Sequence, residues 1–220
     1  MKKNGQQERD LSISRFHISA NPTKYVSLLL FALLYIASAS AQPFDRSAKY
    51  QISVWGMNIG EFTVDQKIED EDIAINAVTD VYVRMIFSYQ VKYIQHSLYR
   101  HGILWSSHVK TLKNGKINSN TCLDRQAENY LLTKDGDATI INGDITYSGS
   151  LLYFQEPKQI DCIYNERNGE KNTIKSLDDH TYAIVDMKGS KTNIYEYQNG
   201  ILIRAELIHT LATIHLKRIL

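Results

Sequence analysis

Polar and apolar positions alternate along most of this chain, and the alternation predicts β-strands. From Glu61 to Glu69, the side chains of Phe62, Val64 and Ile68 share one face, and polar or charged side chains share the other. A period of two is typical of a strand with one buried and one solvated face. The predicted strands span 47–55, 60–69, 72–83, 89–100, 103–113, 116–123, 128–134, 137–141, 159–166, 170–177, 180–186, 191–198, 201–208 and 211–218.

Turn dipeptides separate many of these strands. Asn-Gly and Asp-Gly readily supply the positive φ angles of the tight turns that join antiparallel strands. Five occur, at Asn114-Gly115, Asp135-Gly136, Asn142-Gly143, Asn168-Gly169 and Asn199-Gly200. Together with the alternation they predict an all-β fold built on a curved antiparallel sheet, as a half-barrel or open barrel, with a sandwich as the alternative.

Residues 148–155 interrupt the alternation. Four consecutive apolar residues, 151–154, follow two serines, and Pro157 comes shortly after them. A serine cap and a stopping proline predict one short helix near 148–155. A helix this short is not stable alone, so we expect its apolar side chains to plug the curved sheet. A buried strand is the alternative, and Met85-Ile86-Phe87 is interpreted as a second apolar plug.

Residues 24–41 resemble a secretion signal. A basic approach leads into an apolar run and then into Ala39-Ser40-Ala41, a small-residue ending typical of a cleavage site. The run is shorter than the roughly 20 residues that a membrane-spanning helix needs. We therefore expect residues 1–41 to be a signal peptide that is cut after Ala41. The protein is then exported to the periplasm and keeps no transmembrane anchor after cleavage. An uncleaved anchor is the alternative.

The remaining residues, 42–220, predict a single β-rich domain, because no linker-like stretch divides them. The whole chain has a formal charge of +1, and residues 42–220 carry 20 basic and 22 acidic side chains. This balance provides no overall electrostatic footprint for nucleic acid or for an anionic membrane surface. We accordingly expect no nucleic-acid partner.

No motif in the sequence specifies a reaction. Ser148-Gly149-Ser150 lacks the pattern of a nucleophile elbow and is interpreted as a cap and turn. No histidine or cysteine spacing matches a metal site, and the acidic run 69–72 lacks the ligand spacing of a calcium loop. Both it and Asp178-Asp179-His180 are interpreted as solvated turns. We expect no catalytic residue, no metal and no cofactor.

Aromatic residues suggest the one candidate site. The concave face of a curved sheet covered by a helix is a natural ligand cavity. The side chains proposed to line it are Trp55, Phe62, Phe87, Tyr93, Trp105, Tyr153 and Phe154. The alternative is that these aromatics simply fill the core.

Two cysteines, Cys122 and Cys162, lie in the part predicted to be exported. An oxidising compartment permits a disulfide, but each cysteine lies within a predicted strand, and neighbouring strands do not follow from the spacing. We predict two separate buried thiols.

Several segments resemble a family of exported bacterial proteins classed as domains of unknown function. The likeness begins with the Tyr50–Glu61 hairpin and continues at 147–157, 168–171, 197–202 and 211–214. It implies a periplasmic β-rich domain without an established activity. The curved-sheet outline is also similar, by architecture alone, to periplasmic lipoprotein carriers.

These observations favour a non-enzymatic periplasmic module that binds an apolar or amphipathic ligand, such as a lipid, or an envelope protein. The alternatives are an envelope hydrolase with a Ser, His and Asp site, and a purely structural scaffold.

Overall fold

Fourteen β-strands and one short 3₁₀ helix make up the part of the chain that the computed structural model describes, residues 44–84, 88–209 and 212–220. These residues belong to one compact unit, 41–220. Within them, no helix is long and apolar enough to cross a membrane. The predicted signal peptide and the 85–87 plug fall outside the described residues and stay predictions.

The strands follow the predicted alternation closely. Their bounds are β1 Phe44–Val54, β2 Met57–Glu69, β3 Asp72–Arg84, β4 Ser88–Arg100, β5 Ile103–Lys113, β6 Lys116–Gln126, β7 Asn129–Lys134, β8 Asp137–Asn142, β9 Cys162–Asn165, β10 Glu170–Asp178, β11 Thr181–Val185, β12 Thr192–Gln198, β13 Ile201–Ile208 and β14 Thr213–Arg218. In β2, Phe62, Val64 and Gln66 are buried, and the residues between them are more exposed.

All fourteen strands form one antiparallel sheet, in the order β8-β7-β6-β5-β4-β3-β2-β1-β14-β13-β12-β11-β10-β9. The sheet is curved and unclosed, so β8 and β9 are its two edge strands. The predicted all-β fold with a curved antiparallel sheet is confirmed. Since neighbouring strands are antiparallel, the connections after odd-numbered strands lie at one end, here called the lower end. Hairpin connections after even-numbered strands lie at the opposite, upper end.

Turn chemistry explains five of the hairpins. Both turn residues have positive φ at Asn114-Gly115, Asp135-Gly136 and Asn199-Gly200, as a type I′ turn requires. Trp55-Gly56 and His101-Gly102 adopt the same conformation, although neither begins with Asn or Asp. Asn142-Gly143 joins no hairpin and instead ends β8.

The segment between the two edge strands bridges the opposite parts of the sheet. The amide of Leu104 on β5 donates to the carbonyl of Ile145, and the amide of Tyr164 on β9 donates to the carbonyl of Tyr147, at 2.8 and 3.1 Å. The Thr121 hydroxyl on β6 also donates to the Arg167 carbonyl at 2.9 Å. These contacts bring the β9 side of the sheet close to β5 and β6.

The predicted plug helix is a single 3₁₀ turn, Gly149–Tyr153. Leu151, Leu152 and Phe154 are buried in the same core as the inward side chains of the sheet. Ser148 occupies the N-cap position, but its side chain makes no capping hydrogen bond. Its hydroxyl is engaged elsewhere, as described below.

The two cysteines are unpaired thiols, as predicted, but they are not buried. Cys162 is exposed and Cys122 is half-buried. The prediction of burial was wrong because Cys122 lies on the opposite face of β6 from buried Thr121 and Leu123, and Cys162 begins the edge strand β9.

Candidate functional site

Three inward-facing tyrosines lie on the plug or on the strands of the sheet: Tyr153 on the 3₁₀ helix, Tyr93 on β4 and Tyr195 on β12. Burial raises the pKa of all three hydroxyls, that of Tyr195 to about 12. Tyr93 and Tyr195 add to the rise in the pKa of Tyr153. All three side chains pack on the core and keep part of their surface accessible to solvent. This half-buried aromatic cluster is here called the tyrosine hollow.

The wall of the tyrosine hollow is aromatic. The Tyr153 ring lies 5.0 Å from the ring of Phe62 and 6.0 Å from that of Tyr50, in tilted arrangements. Tyr50 is held in place because its hydroxyl donates to the Leu202 carbonyl at 2.9 Å. The tyrosine hollow therefore has a fixed wall built from β1, β2 and the plug.

One polar group of the tyrosine hollow has no partner. Among the described residues, no group hydrogen-bonds the Tyr197 hydroxyl, although this side chain is buried. Burial raises its pKa, and Tyr147, Tyr195, Tyr50 and Tyr153 add to the rise. Its ring lies edge-on to that of Tyr182, with the centroids 5.7 Å apart. A buried hydroxyl without a partner costs free energy that a bound oxygen or a water molecule recovers.

The plug and the loop that follows it lie at the upper end of this cluster. Arg46 donates to the Phe154 carbonyl at 3.5 Å, and the buried Glu156 carboxylate accepts from the Tyr182 hydroxyl at 2.8 Å. Half-buried apolar side chains that pack on the core lie toward both ends: Ile59, Leu207 and Ile214 near the lower end, and Ile73, Ile141 and Ile160 near the upper end.

The loop after the plug is held by a buried acid. His180 Nδ1 lies 2.9 Å from Glu156 Oε1, and Lys158 Nζ lies 3.5 Å from Oε2. Burial opposes ionisation of Glu156, but the hydrogen bonds from Tyr182 and His180 outweigh it and lower the pKa of the carboxyl. The predicted solvated turn at 178–180 therefore also anchors the loop over the upper end.

A second buried acid, Glu166, holds the plug against β4. Its Oε1 accepts from the Ser150 amide and from Gln95 Nε2, both at 3.1 Å, and its Oε2 accepts from the Gly149 amide at 2.9 Å. The Ser148 hydroxyl donates to it as well and also contacts the Tyr99 hydroxyl. Burial raises the pKa of Glu166, and hydrogen bonds from Ser148 and Ser150 partly offset the rise.

Any side chain at position 149 would displace the Glu166 carboxylate. A Cβ atom there would lie 2.9 Å from Glu166 Oε2. The cluster is also a poor catalytic site, because Ser148 is fully buried and its hydrogen-bond partners are Tyr99, Ser150 and Glu166, without a histidine to act as base. Its role in this geometry is to position the plug.

The seven residues proposed to line a cavity fall into three groups. Tyr93 and Tyr153 line the tyrosine hollow, and Phe62 and Phe154 are buried around it. Trp55 and Trp105 are wrong as lining residues, because both lie on the surface. Trp55 occupies the β1–β2 turn, and the Trp105 ring lies under the Arg100 guanidinium at 4.7 Å. Phe87 falls outside the described residues.

Sequence reasoning missed Tyr195, Tyr197 and both buried acids. Tyr195 and Tyr197 are two residues apart in a predicted strand, and this spacing could have placed them on one face. Gln95, Ser97 and Tyr99 repeat on the buried face of β4, which signals a polar network inside the core. No local signal marks Glu166 as their partner.

One further groove lies away from the tyrosine hollow. A groove of about 420 Å³ runs along the last strands, lined by Gln198, Ile203, Arg204, Lys217, Arg218, Ile219 and Leu220, and includes none of its tyrosines. Among the described residues, no cluster of three or more metal-ligating side chains occurs.

Comparison with known families assigns the chain. The family described as "Domain of unknown function (DUF6134)" matches residues 50–219. The chain belongs to this family. No curated protein matches it.

A solved structure shares the fold. It is described as the "Crystal Structure of Beta-barrel-like Protein of Domain of Unknown Function DUF1849 from Brucella abortus". The two chains are 9% identical, the alignment covers 80% of this chain and 95% of that one, and the TM-score is 0.58. At this identity the likeness shows a β-barrel-like fold and nothing about activity.

Proposed function

We propose that this DUF6134 protein is an exported, periplasmic, non-enzymatic module that binds an amphipathic ligand in the tyrosine hollow. The observation that carries the proposal is the half-buried aromatic cluster of Tyr93, Tyr153 and Tyr195, in which the Tyr153 ring lies 5.0 Å from that of Phe62, together with the unpartnered hydroxyl of buried Tyr197. A ligand that covers this aromatic surface removes it from water, at about 25 cal/mol per Å² of apolar area.

The Tyr197 hydroxyl indicates the chemistry of the ligand's polar end. Its hydroxyl has no partner among the described residues and can donate to a carbonyl or carboxylate oxygen. The aromatic walls suit an acyl chain or another apolar body. A lipid or fatty acid combines both parts, so we propose a ligand of that class.

Binding of a fluorescent fatty acid, dansylamino-undecanoic acid, tests the ligand site. The protein is taken from its native periplasm in processed form, so that the apolar run near residue 30 does not bind the probe. Tyr197→Phe removes only the hydroxyl, and a lost hydrogen bond of about 1 kcal/mol predicts roughly fivefold weaker binding. Tyr82→Phe, on the solvated surface of β3, is the matched control and should bind the probe like the parent protein.

Native mass spectrometry of the same preparation tests the proposal independently. A lipid that co-purifies with the parent protein and is depleted in Tyr197→Phe supports it. An empty protein that also fails to bind the fluorescent fatty acid would contradict it. Equal affinities of Tyr197→Phe and Tyr82→Phe would remove Tyr197 from the site.

A further inference from the structure

Charge is segregated between the two ends of the sheet. At the described lower-end connections and the strand residues that flank them, six basic side chains are exposed: Lys113, Lys116, Lys134, Arg167, Lys188 and Lys191. The exposed or half-exposed acids there are Asp135, Asp137, Glu170 and Asp186. Three of them are engaged within the protein, since Asp135 accepts from the Asn120 amide, Asp186 from the Ser190 amide and Glu170 from the Asn168 side chain, each at 2.7 Å.

The upper end has the opposite character. Its hairpin connections, with the flanking strand residues, carry seven acids and one arginine: Glu69, Asp70, Glu71, Asp72, Glu128, Asp178, Asp179 and Arg100. The near-neutral total charge therefore conceals a dipolar arrangement. An anionic surface attracts the lower end and repels the upper end.

Large apolar side chains project from the same lower end. Six exposed large apolar side chains lie at this end, each within two residues of a lower-end connection or of the strand residues beside it. They are Trp55, Met57, Tyr82, Ile117, Met187 and Ile208. Met187 and Ile117 are the most exposed of the six, at 71% and 62%. Exposed apolar groups that recur on successive hairpins of one end indicate an interaction surface.

We propose that the lower end docks on the surface of a bilayer containing anionic lipid. Trp and Tyr favour the membrane–water interface, and each lysine near an anionic leaflet strengthens the attraction. Of the six apolar side chains, Trp55 and Met187 lie in lower-end connections and the other four lie near strand ends, so they are distributed over several hairpins. A deformable bilayer can accept such dispersed side chains separately.

The lower end also contains half-buried apolar side chains of the core, because Ile59, Leu207 and Ile214 lie near the lower-end connections of their strands. Docking itself does not depend on a ligand in the tyrosine hollow, so the two proposals fail independently.

The two tryptophans provide a built-in test of orientation. Trp55 lies in a lower-end turn, and Trp105 lies on β5 near the upper end. The full chain is prepared as Trp105→Phe and as Trp55→Phe, each retaining one tryptophan, and mixed with vesicles of phosphatidylglycerol and phosphatidylethanolamine. We expect the emission of Trp55 to shift to shorter wavelength and that of Trp105 to stay unchanged. The apolar run near residue 30 can tether the chain, but it does not by itself bury Trp55.

Charge reversal tests the electrostatic part. Lys116→Glu with Lys188→Glu should reduce the Trp55 response to anionic vesicles by about tenfold or more. Lys175→Glu with Lys217→Glu, equally exposed but outside the lower end, is the matched control and should change the Trp55 response little. Circular dichroism verifies that all variants keep the β-sheet.

Three results would overturn the proposal. One is an equal response to anionic and to uncharged phosphatidylcholine vesicles. Another is a shift of Trp105 without a shift of Trp55. The third is anion-dependent binding that leaves Trp55 in water, since that would indicate a soluble acidic partner such as an acidic protein.

Discussion

At the residue scale, two buried carboxylates hold segments that lie outside the strands, namely the start of the plug and the loop that follows it. Glu166 accepts four hydrogen bonds that fix residues 148–150 against β4, and Glu156 ties the loop after the plug to β11. The two pKa values move in opposite directions because partners compensate burial fully at Glu156 and only partly at Glu166.

Glu156 makes stability depend on pH in a defined direction. Its folded-state pKa is lowered, so its contribution is present above the unfolded value of about 4.3 and is lost as the pH falls through the folded value. Glu166, with a raised pKa, acts with the opposite sign, losing its contribution as the pH rises through its folded value.

We expect Glu156→Gln to lower the free energy of unfolding at neutral pH and to flatten its decline in acid. Urea unfolding between about pH 3 and 7 measures both effects, and the difference between variant and parent isolates Glu156 from Glu166. Glu128→Gln, in the exposed β6–β7 turn, controls for placing an amide at a former carboxylate. Parallel profiles for Glu156→Gln and the parent would show that the buried acid does not contribute.

At the element scale, the plug is the least regular and most connected segment. A five-residue 3₁₀ helix has no stability of its own, so tertiary contacts must hold it. Its apolar side chains enter the core shared by β1, β2 and β13, and its last residue lines the tyrosine hollow. Damage to the plug should therefore affect both stability and ligand binding.

Leu152→Ala should lower the free energy of unfolding by about 3 kcal/mol, because a fully packed leucine leaves a cavity when truncated. Urea unfolding is the measurement. Ile140→Ala on the exposed edge strand β8 removes a side chain of the same size from the surface and should cost less than about 0.5 kcal/mol. Similar losses in the two variants would mean that residues 149–153 do not serve as a plug.

At the scale of the whole molecule, a single curved sheet creates two chemically different ends. The upper end carries acidic hairpin turns and the loop anchored at Glu156, and the lower end carries exposed lysines and exposed apolar side chains. Such polarity suits a protein that exchanges an amphipathic ligand at a surface. It also requires the chain to reach the compartment where that surface lies.

Cleavage of the predicted signal peptide can be tested directly. Cleavage after Ala41 would leave a mature chain that begins at Gln42, two residues before β1. N-terminal sequencing of the protein recovered from the periplasm should read Gln-Pro-Phe-Asp. Recovery of a chain that still contains residues 24–41 would contradict the cleavage.

Strand positions were predictable because the alternation and the turn residues act locally. A residue pair such as Asn114-Gly115 determines its own turn through φ preferences, so fourteen strands could be located before any contact was known. The prediction of Trp55 and Trp105 as lining residues was wrong because the residue type does not tell which face of a strand an aromatic side chain occupies. The face that it occupies depends on turns and bulges, such as the register shift after Ile52.

The sequence by itself determined the all-β class, the hairpin succession and the place of the plug, since these depend on neighbours within a few residues. Only the tertiary structure decided that Tyr93, Tyr153 and Tyr195 lie in one half-buried aromatic cluster, and that Glu166 reaches back to residues 148–150. It also decided that lysines and acids separate to opposite ends. These arrangements join residues far apart in the chain, where no local preference acts, and they follow from the antiparallel order and curvature of one sheet.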